Sequence, residues 1–429
     1  MTAPIRYQLD SSTQRHGTVM IGGSPLKLFR LTPAGAALVV RIANGDAVPA
    51  STLVGSLVNA GAIHPKPERP TWTEADVTIV VPTRGIPDHV PPGAIVVDDG
   101  SDTPVAGATI RLDVNQGPGA ARNAGLALVT TRLVAFVDAD VELPDGWLQP
   151  LLVHFDDERV GLVAPRVTTW PAGTKIADYE HDHSPLDLGP EPARIRAGTR
   201  VSYVPAAALV CRTEAVRSMG GFDRGLRFGE DVDLVWRLDA AGWRCRYEPA
   251  AVVHHAPRGT WGGWFRQRIN YGSSAAPLAK RHHGALAPVR MSPWSMATWS
   301  LAMTRRPWLG TISGVGSAAA LIKKLPDLPP AVAFRLAGLG NFHAGAQLAH
   351  AIRRVWWPIV AIAALRSRIA RRTLLAAAIS AKRPLRLVDD FAYSIGVWKG
   401  IVTERTIAPL LPQINSWPGR GQGSPEVDH

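Results

Sequence analysis

Cysteine is almost absent from this 429-residue chain. Its two residues, Cys211 and Cys245, are too few and too far apart for a disulfide framework or a cysteine-based metal motif. A reducing, cytoplasmic setting is the expectation. No secretory leader is read, because Met1-Thr-Ala-Pro-Ile-Arg6 lacks an apolar core. Apolar runs of membrane length are also missing. Pro307 to Ile322 and the shorter Val355 to Leu365 both fall below the roughly 20 residues that a spanning helix needs. Acidic residues are scarce in one region only. From His255 onward there are 23 Lys and Arg against 6 Asp and Glu, and before it 24 against 29, so the net charge of +12 belongs to the C-terminal part. No helix-turn-helix, zinc finger or RNP-type strand accompanies it, so nucleic acid is not the expected partner. An anionic membrane surface is, with Trp308, Trp356, Trp357 and flanking arginines on helices that read as lying in the interface, a soluble bundle and a spanning segment being the alternatives. At 46% hydrophobic and 19% charged residues, the chain can bury a substantial core.

What is present centres on Leu133 to Val141. Five apolar residues read as a buried parallel strand and run into Asp138 and Asp140. In an open α/β sheet, ligands bind beyond the carboxyl ends of the strands. Alternation sets the two carboxylates on one side if strand geometry continues through Ala139. Two hard oxygen donors there suit a divalent cation, Mn²⁺ or Mg²⁺, that also holds a diphosphate. Two earlier strands deliver polar groups to the same edge. Val77–Val81 closes on Pro82-Thr83-Arg84, and 94–97 closes on Asp98-Asp99-Gly100-Ser101. Asn115-Gln-Gly-Pro-Gly-Ala-Ala-Arg122-Asn123-Ala-Gly125 then opens a helix. Gly117-x-Gly119 evokes a dinucleotide fingerprint, but Arg122 stands where the third glycine belongs and the turn follows a later strand.

Val77-Thr-Ile-Val-Val-Pro-Thr-Arg84, Asp98-Asp-Gly-Ser101, Asn115-x-Gly-x-Gly-x-Ala-x-Asn123, Val137-Asp-Ala-Asp140, Gly220-Gly-Phe-Asp223 and Phe228-Gly-Glu-Asp-Val-Asp-Leu-Val-Trp-Arg237 resemble, in order and spacing, the motifs of family 2 glycosyltransferases. With the N-terminal segment included, the chain resembles the mycofactocin glycosyltransferases, which act on a peptide-derived redox cofactor. The resemblance implies a GT-A α/β domain over 75–283, preceded by a winged-helix-like domain (1–69) similar to peptide-binding chaperones. A basic helical region that meets membrane (284–411) and a disordered tail (412–429) follow. The linker His64 to Pro70 would separate the first two domains. The implied partners are a UDP-sugar donor and a peptide-derived cofactor acceptor.

Inverting sugar transfer needs a base for the acceptor hydroxyl, and Asp231 fits, with Glu230 as the fallback. Both open a helix whose apolar face is Leu234, Val235 and Leu238 and which Gly242 stops. The helix N-terminus would keep the base ionised. Asp233 is read as serving the helix start. By resemblance, Asp138 contacts ribose and Asp140 the metal. Asp99 or Asp98 accepts from the uracil imide, Pro82, Thr83 and Arg84 lie by the base, and Asn115, Gly117, Arg122 and Asn123 line the same pocket. His254 or His255, ending the strand Ala251-Val252-Val253, reads either as a further metal ligand or as a polar strand exit; by resemblance, Gly221, Phe222 and Asp223 hold the acceptor. Gln267 is followed by Arg268, Ile269, Asn270 and Tyr271, so the Gln-x-x-Arg-Trp motif of processive synthases is missing. Trp264-Phe265-Arg266-Gln267-Arg268 reads either as an acceptor surface, with Arg266 and Arg268 for phosphate, or as a packed amphipathic helix. The alternatives to cofactor glycosylation are a membrane-associated polysaccharide or glycolipid glycosyltransferase, and a peptide-binding adaptor on an inactive transferase scaffold.

Overall fold

The computed structural model describes residues 4–68, 70–170, 173–257 and 259–416. Packing divides the chain into two units. One holds the N-terminal residues up to Thr13, Gly22–Leu26 and Ala37–Trp264; the other holds Gln14–Ile21, Lys27–Ala36 and the chain from Phe265 onward.

The first unit is built on a mixed nine-stranded sheet. From one edge its strands run Val141–Glu142, Arg244–His255, Val160–Thr169, Ala208–Arg212, Leu133–Val137, Val77–Thr83, Ile95–Asp99 and Ile110–Leu112, with Ala193–Arg194 paired to Arg244–His255. The strands from Leu133 to Ile110 are mutually parallel. Ala208–Arg212 runs antiparallel to both its neighbours. Leu133–Val137 is buried at every position, as expected of a strand covered on both faces. Its flank packs Trp147, Leu151 and Phe155. Helix Pro118–Leu128 covers the parallel half, and Gly125 allows the close approach: a Cβ there would sit 2.3 Å from Val80 Cγ1.

Two readings change at the N-terminus. Helices Pro33–Ala43 and Thr52–Ala60 form there, the second capped by the Ser51 side chain and stopped by left-handed Gly61. The supposed linker, however, is partly a strand: Ile63–Lys66 pairs antiparallel with Arg6–Leu9. Nor do the first 69 residues stand apart as one body. Asp10 takes an ion pair from Arg200 at 2.8 Å, and Arg194 Nη1 donates to the Asn59 carbonyl at 2.6 Å. Pairing and buried polar contact therefore replace a spacer, while Arg69 itself lies outside the described residues.

In the second unit, helices cover Trp261–Ser273 (its start lying in the first unit), Ala275–Arg281, Pro293–Ala302, Trp308–Lys324, Pro330–Ala351, Trp357–Ala364, Arg368–Ile379 and Pro384–Glu404. A π-helical segment, Ile352–Trp356, leads into Trp357–Ala364. Among the described residues no helix is long and apolar enough to cross a membrane. The tail differs from its expected start: Gln413–Ile414 pairs in parallel with Arg290–Met291, and from Trp417 on it lies outside the described residues.

Candidate active site

Leu133–Val137 stops one residue short of the acids, and a turn closed by Val141 N on the Asp138 carbonyl (3.2 Å) carries them. The alternation that would have set Asp138 beside Asp140 does not apply. Asp138 Oδ1 accepts from Arg122 Nη2 at 2.6 Å, whereas Asp140 Oδ2 lies 3.4 Å from His255 Nε2. The two carboxylates have diverged to different tasks.

Arg122 is the centre of the first group. It is buried, donates also to Glu230 Oε1 at 2.7 Å, and lies over the Phe222 ring at 5.3 Å. Two carboxylates from chain positions 92 apart are thus joined through one guanidinium, whose planar fork suits that geometry. Asp231 is the next residue on the helix that Gly229 opens in the left-handed region (φ 80°). Its Oδ2 accepts from the Ala206 amide at 3.1 Å and its Oδ1 from the Val232 amide at 2.8 Å. Burial and the neighbouring Asp231 push the Glu230 carboxyl up, and burial does the same for Asp231. Here the sequence argument from the helix dipole is outweighed by desolvation. A carboxyl that holds its proton more tightly is also a stronger base once ionised. Asp233 pairs with Arg237 at 2.7 Å, four residues on, and serves the helix.

His254 and His255 separate cleanly. His254 is engaged on both sides: Nδ1 meets Thr168 Oγ1 at 2.8 Å, and the ring stacks on Trp170 with centroids 3.9 Å apart. His255 is 6% exposed and sets Nδ1 against its neighbour's carbonyl, Ala256 O, at 2.7 Å. Donation from Nδ1 to that carbonyl leaves Nε2 facing Asp140, and a backbone bond of this kind orients metal-binding imidazoles. Among the described residues no group of three or more His, Cys, Asp or Glu converges to hold a metal. A carboxylate and an imidazole with substrate phosphates completing the shell fit a small divalent cation, which is held that way in many nucleotide sites. Asp138, turned to Arg122, is not part of that pair.

The nucleotide motifs are more structural than their sequence implied. Asp98 is fully buried and accepts from Ser101 N at 2.9 Å, Val105 N at 3.1 Å and Arg111. Burial pushes its carboxyl up, but these bonds outweigh it and hold it at about 2. Every oxygen of Asp98 is engaged, so it shapes the loop and does not face a base. Asp99 receives the Gln116 and Gly117 amides at 2.7 and 2.9 Å and the Asn115 side chain at 2.9 Å. Oδ1 of Asp99 keeps room for a further donor. Asn115 also takes a bond from Arg227. Thr83 turns its hydroxyl to the Gly85 carbonyl at 2.8 Å; Pro82 is buried and Arg84 exposed.

Asn123 clamps the Gly220–Asp223 segment. Its amide donates to the Phe222 carbonyl at 2.7 Å and accepts from the Phe222 amide at 2.8 Å. Gly221, at φ 77°, has no room for a side chain, since a Cβ would lie 2.3 Å from Asn123 Oδ1. Asp223 Oδ1 accepts from the Gly225 amide at 2.7 Å. In the second unit Arg266 is exposed, but Arg268 is buried with Nε on Asp389 at 3.0 Å. For Arg268 the packed-helix reading holds, because an ion pair there has already taken the guanidinium. Sequence reasoning missed the Ala206 amide, which carries no side-chain signal, and the Arg122 bridge, whose partners come together only in the fold.

A mixed sheet with acids at the carboxyl ends of its parallel strands, and a helix N-terminus bringing further acids to them, is the GT-A fold of the glycosyltransferases. The Glycosyl transferase family 2 profile matches residues 94–215. A protein from Mycobacterium tuberculosis (strain CDC 1551 / Oshkosh), described as a pre-mycofactocin glycosyltransferase, is 40% identical over 93% of this chain and 95% of its own length. An uncharacterized glycosyltransferase of Mycobacterium bovis is 30% identical over 39% of this chain and 81% of its own. Among solved structures, a mannosyltransferase from Pyrobaculum calidifontis in complex with GDP-Man and Mn²⁺ is similar over 78% of this chain and 88% of its own, at 16% identity and a TM-score of 0.43. The chain belongs to the family 2 glycosyltransferases, together with the pre-mycofactocin glycosyltransferases.

Proposed function

We propose that this glycosyltransferase is inverting and moves a hexose, glucose foremost, from a UDP-sugar onto a mycofactocin-type cofactor derived from a ribosomal peptide, building a short β-glucan. The observation that carries the chemistry is the ring of Asp138, Glu230 and Asp231 about buried Arg122. Asp231, anchored by the Ala206 amide and with its basicity raised by burial, takes the acceptor proton. Glu230, tied to Arg122, positions the hydroxyl. Asp138 is the ribose contact and Asp99 the acceptor for the nucleobase imide, beside Thr83 and Arg84. Asp140 and His255 would hold Mn²⁺ or Mg²⁺, which when bound neutralises charge on the leaving diphosphate. Gly221, Phe222 and Asp223, steadied by Asn123, face the acceptor.

The acceptor class rests on the relative at 40% identity and on the N-terminal strand pair. A cleft of about 760 Å³ lies along Arg6–Leu9, bordered by Ile42, Ala43 and Lys66. A two-stranded sheet beside such a cleft suits an extended peptide added as a strand. The C-terminal helices support a peripheral place on the inner face of the cell membrane: Trp308, Ile312, Phe342, Ile362 and Leu365 are exposed among basic side chains. The same surface is what favours a glycolipid acceptor as the second reading. Release of UDP from a panel of sugar nucleotides, with and without Mn²⁺ or Mg²⁺ and with either acceptor, decides between them. Turnover on the peptide-derived acceptor supports the first reading and turnover only on lipid the second. No release under any condition marks an inactive scaffold.

A further inference from the structure

Trp170 has no role in the site as described, yet it is built into its border. It directly follows the strand Val160–Thr169, whose Thr169 is in register with His255. The indole is 46% exposed but fixed. One face stacks on the His254 imidazole at 3.9 Å and 27°, Nε1 donates to Glu142 Oε2 at 3.3 Å, and His254 is itself held by Thr168. Glu142 is two residues past Asp140, and His254 adjoins His255. Trp170 therefore stands at the sheet end that carries Asp140 and His255, on the face shared by Thr168, His254 and Glu142 and opposite to the His255 side chain. It is three strands removed from Val77–Thr83 and four from Ile95–Asp99, and neighbouring strands stand about 4.8 Å apart. It lies well away from the strands of the proposed nucleoside pocket, at the end of the sheet where the proposed cation would hold a diphosphate.

We infer that Trp170 is a stacking platform for the apolar face of a pyranose ring. The inference rests on the sugar-nucleotide reading above. A pre-oriented aromatic face that stays part-exposed while its other contacts are satisfied is suited to a ring carrying C–H groups on one face and hydroxyls at its rim. The rim hydroxyls meet Glu142, whose carboxylate already faces the indole. The ring is either the donor hexose or a hexose already on the acceptor.

The test is calorimetric binding of UDP, UDP-glucose and methyl β-glucoside, each with Mn²⁺, to the full chain and to Trp170→Ala and Trp170→Phe. UDP affinity stays unchanged in both variants. In Trp170→Ala, roughly tenfold or more is lost either from UDP-glucose, marking the donor ring, or from methyl β-glucoside, marking the acceptor ring, and Trp170→Phe restores most of it. Unchanged affinity for both sugars overturns the inference. So does a parallel loss of UDP binding, which would make Trp170 only a support for His254. If Trp170→Ala is too unstable to measure, Trp170→Phe against Trp170→Leu gives the same comparison with side chains of similar bulk. A wild-type chain that binds neither UDP nor UDP-glucose overturns the proposed function as well. Intact wild-type binding with indifferent variants removes the platform alone.

Discussion

Arg122 is the residue on which the site depends. It is buried between Asp138 and Glu230, so Arg122→Met leaves the buried Glu230 without its cation. A loss of about 3–5 kcal/mol is expected, the usual cost of removing one partner of a buried pair, read as a lowered denaturant midpoint. Arg122→Lys should recover little, because an ammonium cannot bond two carboxylates as a fork. The acids set the pH dependence. Glu230 and Asp231 hold their protons more tightly than ordinary carboxyls. A base works ionised, so kcat/KM should rise with pH and its acid limb should lie above the ordinary carboxylate value of about 4. A limb at or below 4 would remove the base from this pair. Asp98 has the opposite sign. Its folded value of about 2 lies below the usual 3.8, so its contribution to stability is full above pH 3.8 and is lost as pH falls toward 2. In Asp98→Asn, the acid unfolding profile should flatten across that window.

Among elements, the most legible were those with strong local signals. The apolar run Leu133–Val137 appears where composition put it. Illegible features were those that needed a distant partner. His64-Pro65-Lys66 reads locally as a proline-broken spacer, yet Arg6–Leu9 makes it a strand. Asp138 and Asp140 read as a pair, but the turn between them sends one to helix Pro118–Leu128 and the other to strand Arg244–His255. Asp98 and Asp99 read alike, and only the fold shows that Ser101, Val105 and Arg111 saturate the first. The contact of helix Pro118–Leu128 with the Gly220–Asp223 segment gives a clear element-level test. Gly221→Ala sets a Cβ against Asn123 in a left-handed conformation, which should cost on the order of 1–3 kcal/mol and raise the acceptor KM while donor binding holds. Unchanged acceptor KM would detach that segment from acceptor binding.

For the whole molecule, the basic C-terminal part predicts attachment to anionic vesicles that weakens with salt, because exposed charge is screened over about 8 Å at physiological strength. Equal sedimentation with neutral and anionic vesicles, or none with either, would contradict peripheral binding. The central claim is that the acids around Arg122 perform transfer, with Asp231 as base. It is tested most directly by Asp231→Asn, measuring hexose transfer from UDP-glucose, UDP affinity and melting temperature on the same protein. The account predicts that turnover falls by about 10²–10⁴, with UDP affinity and melting temperature close to those of the unaltered chain. Near-normal turnover would contradict it and pass the proton to Glu230 or away from this helix.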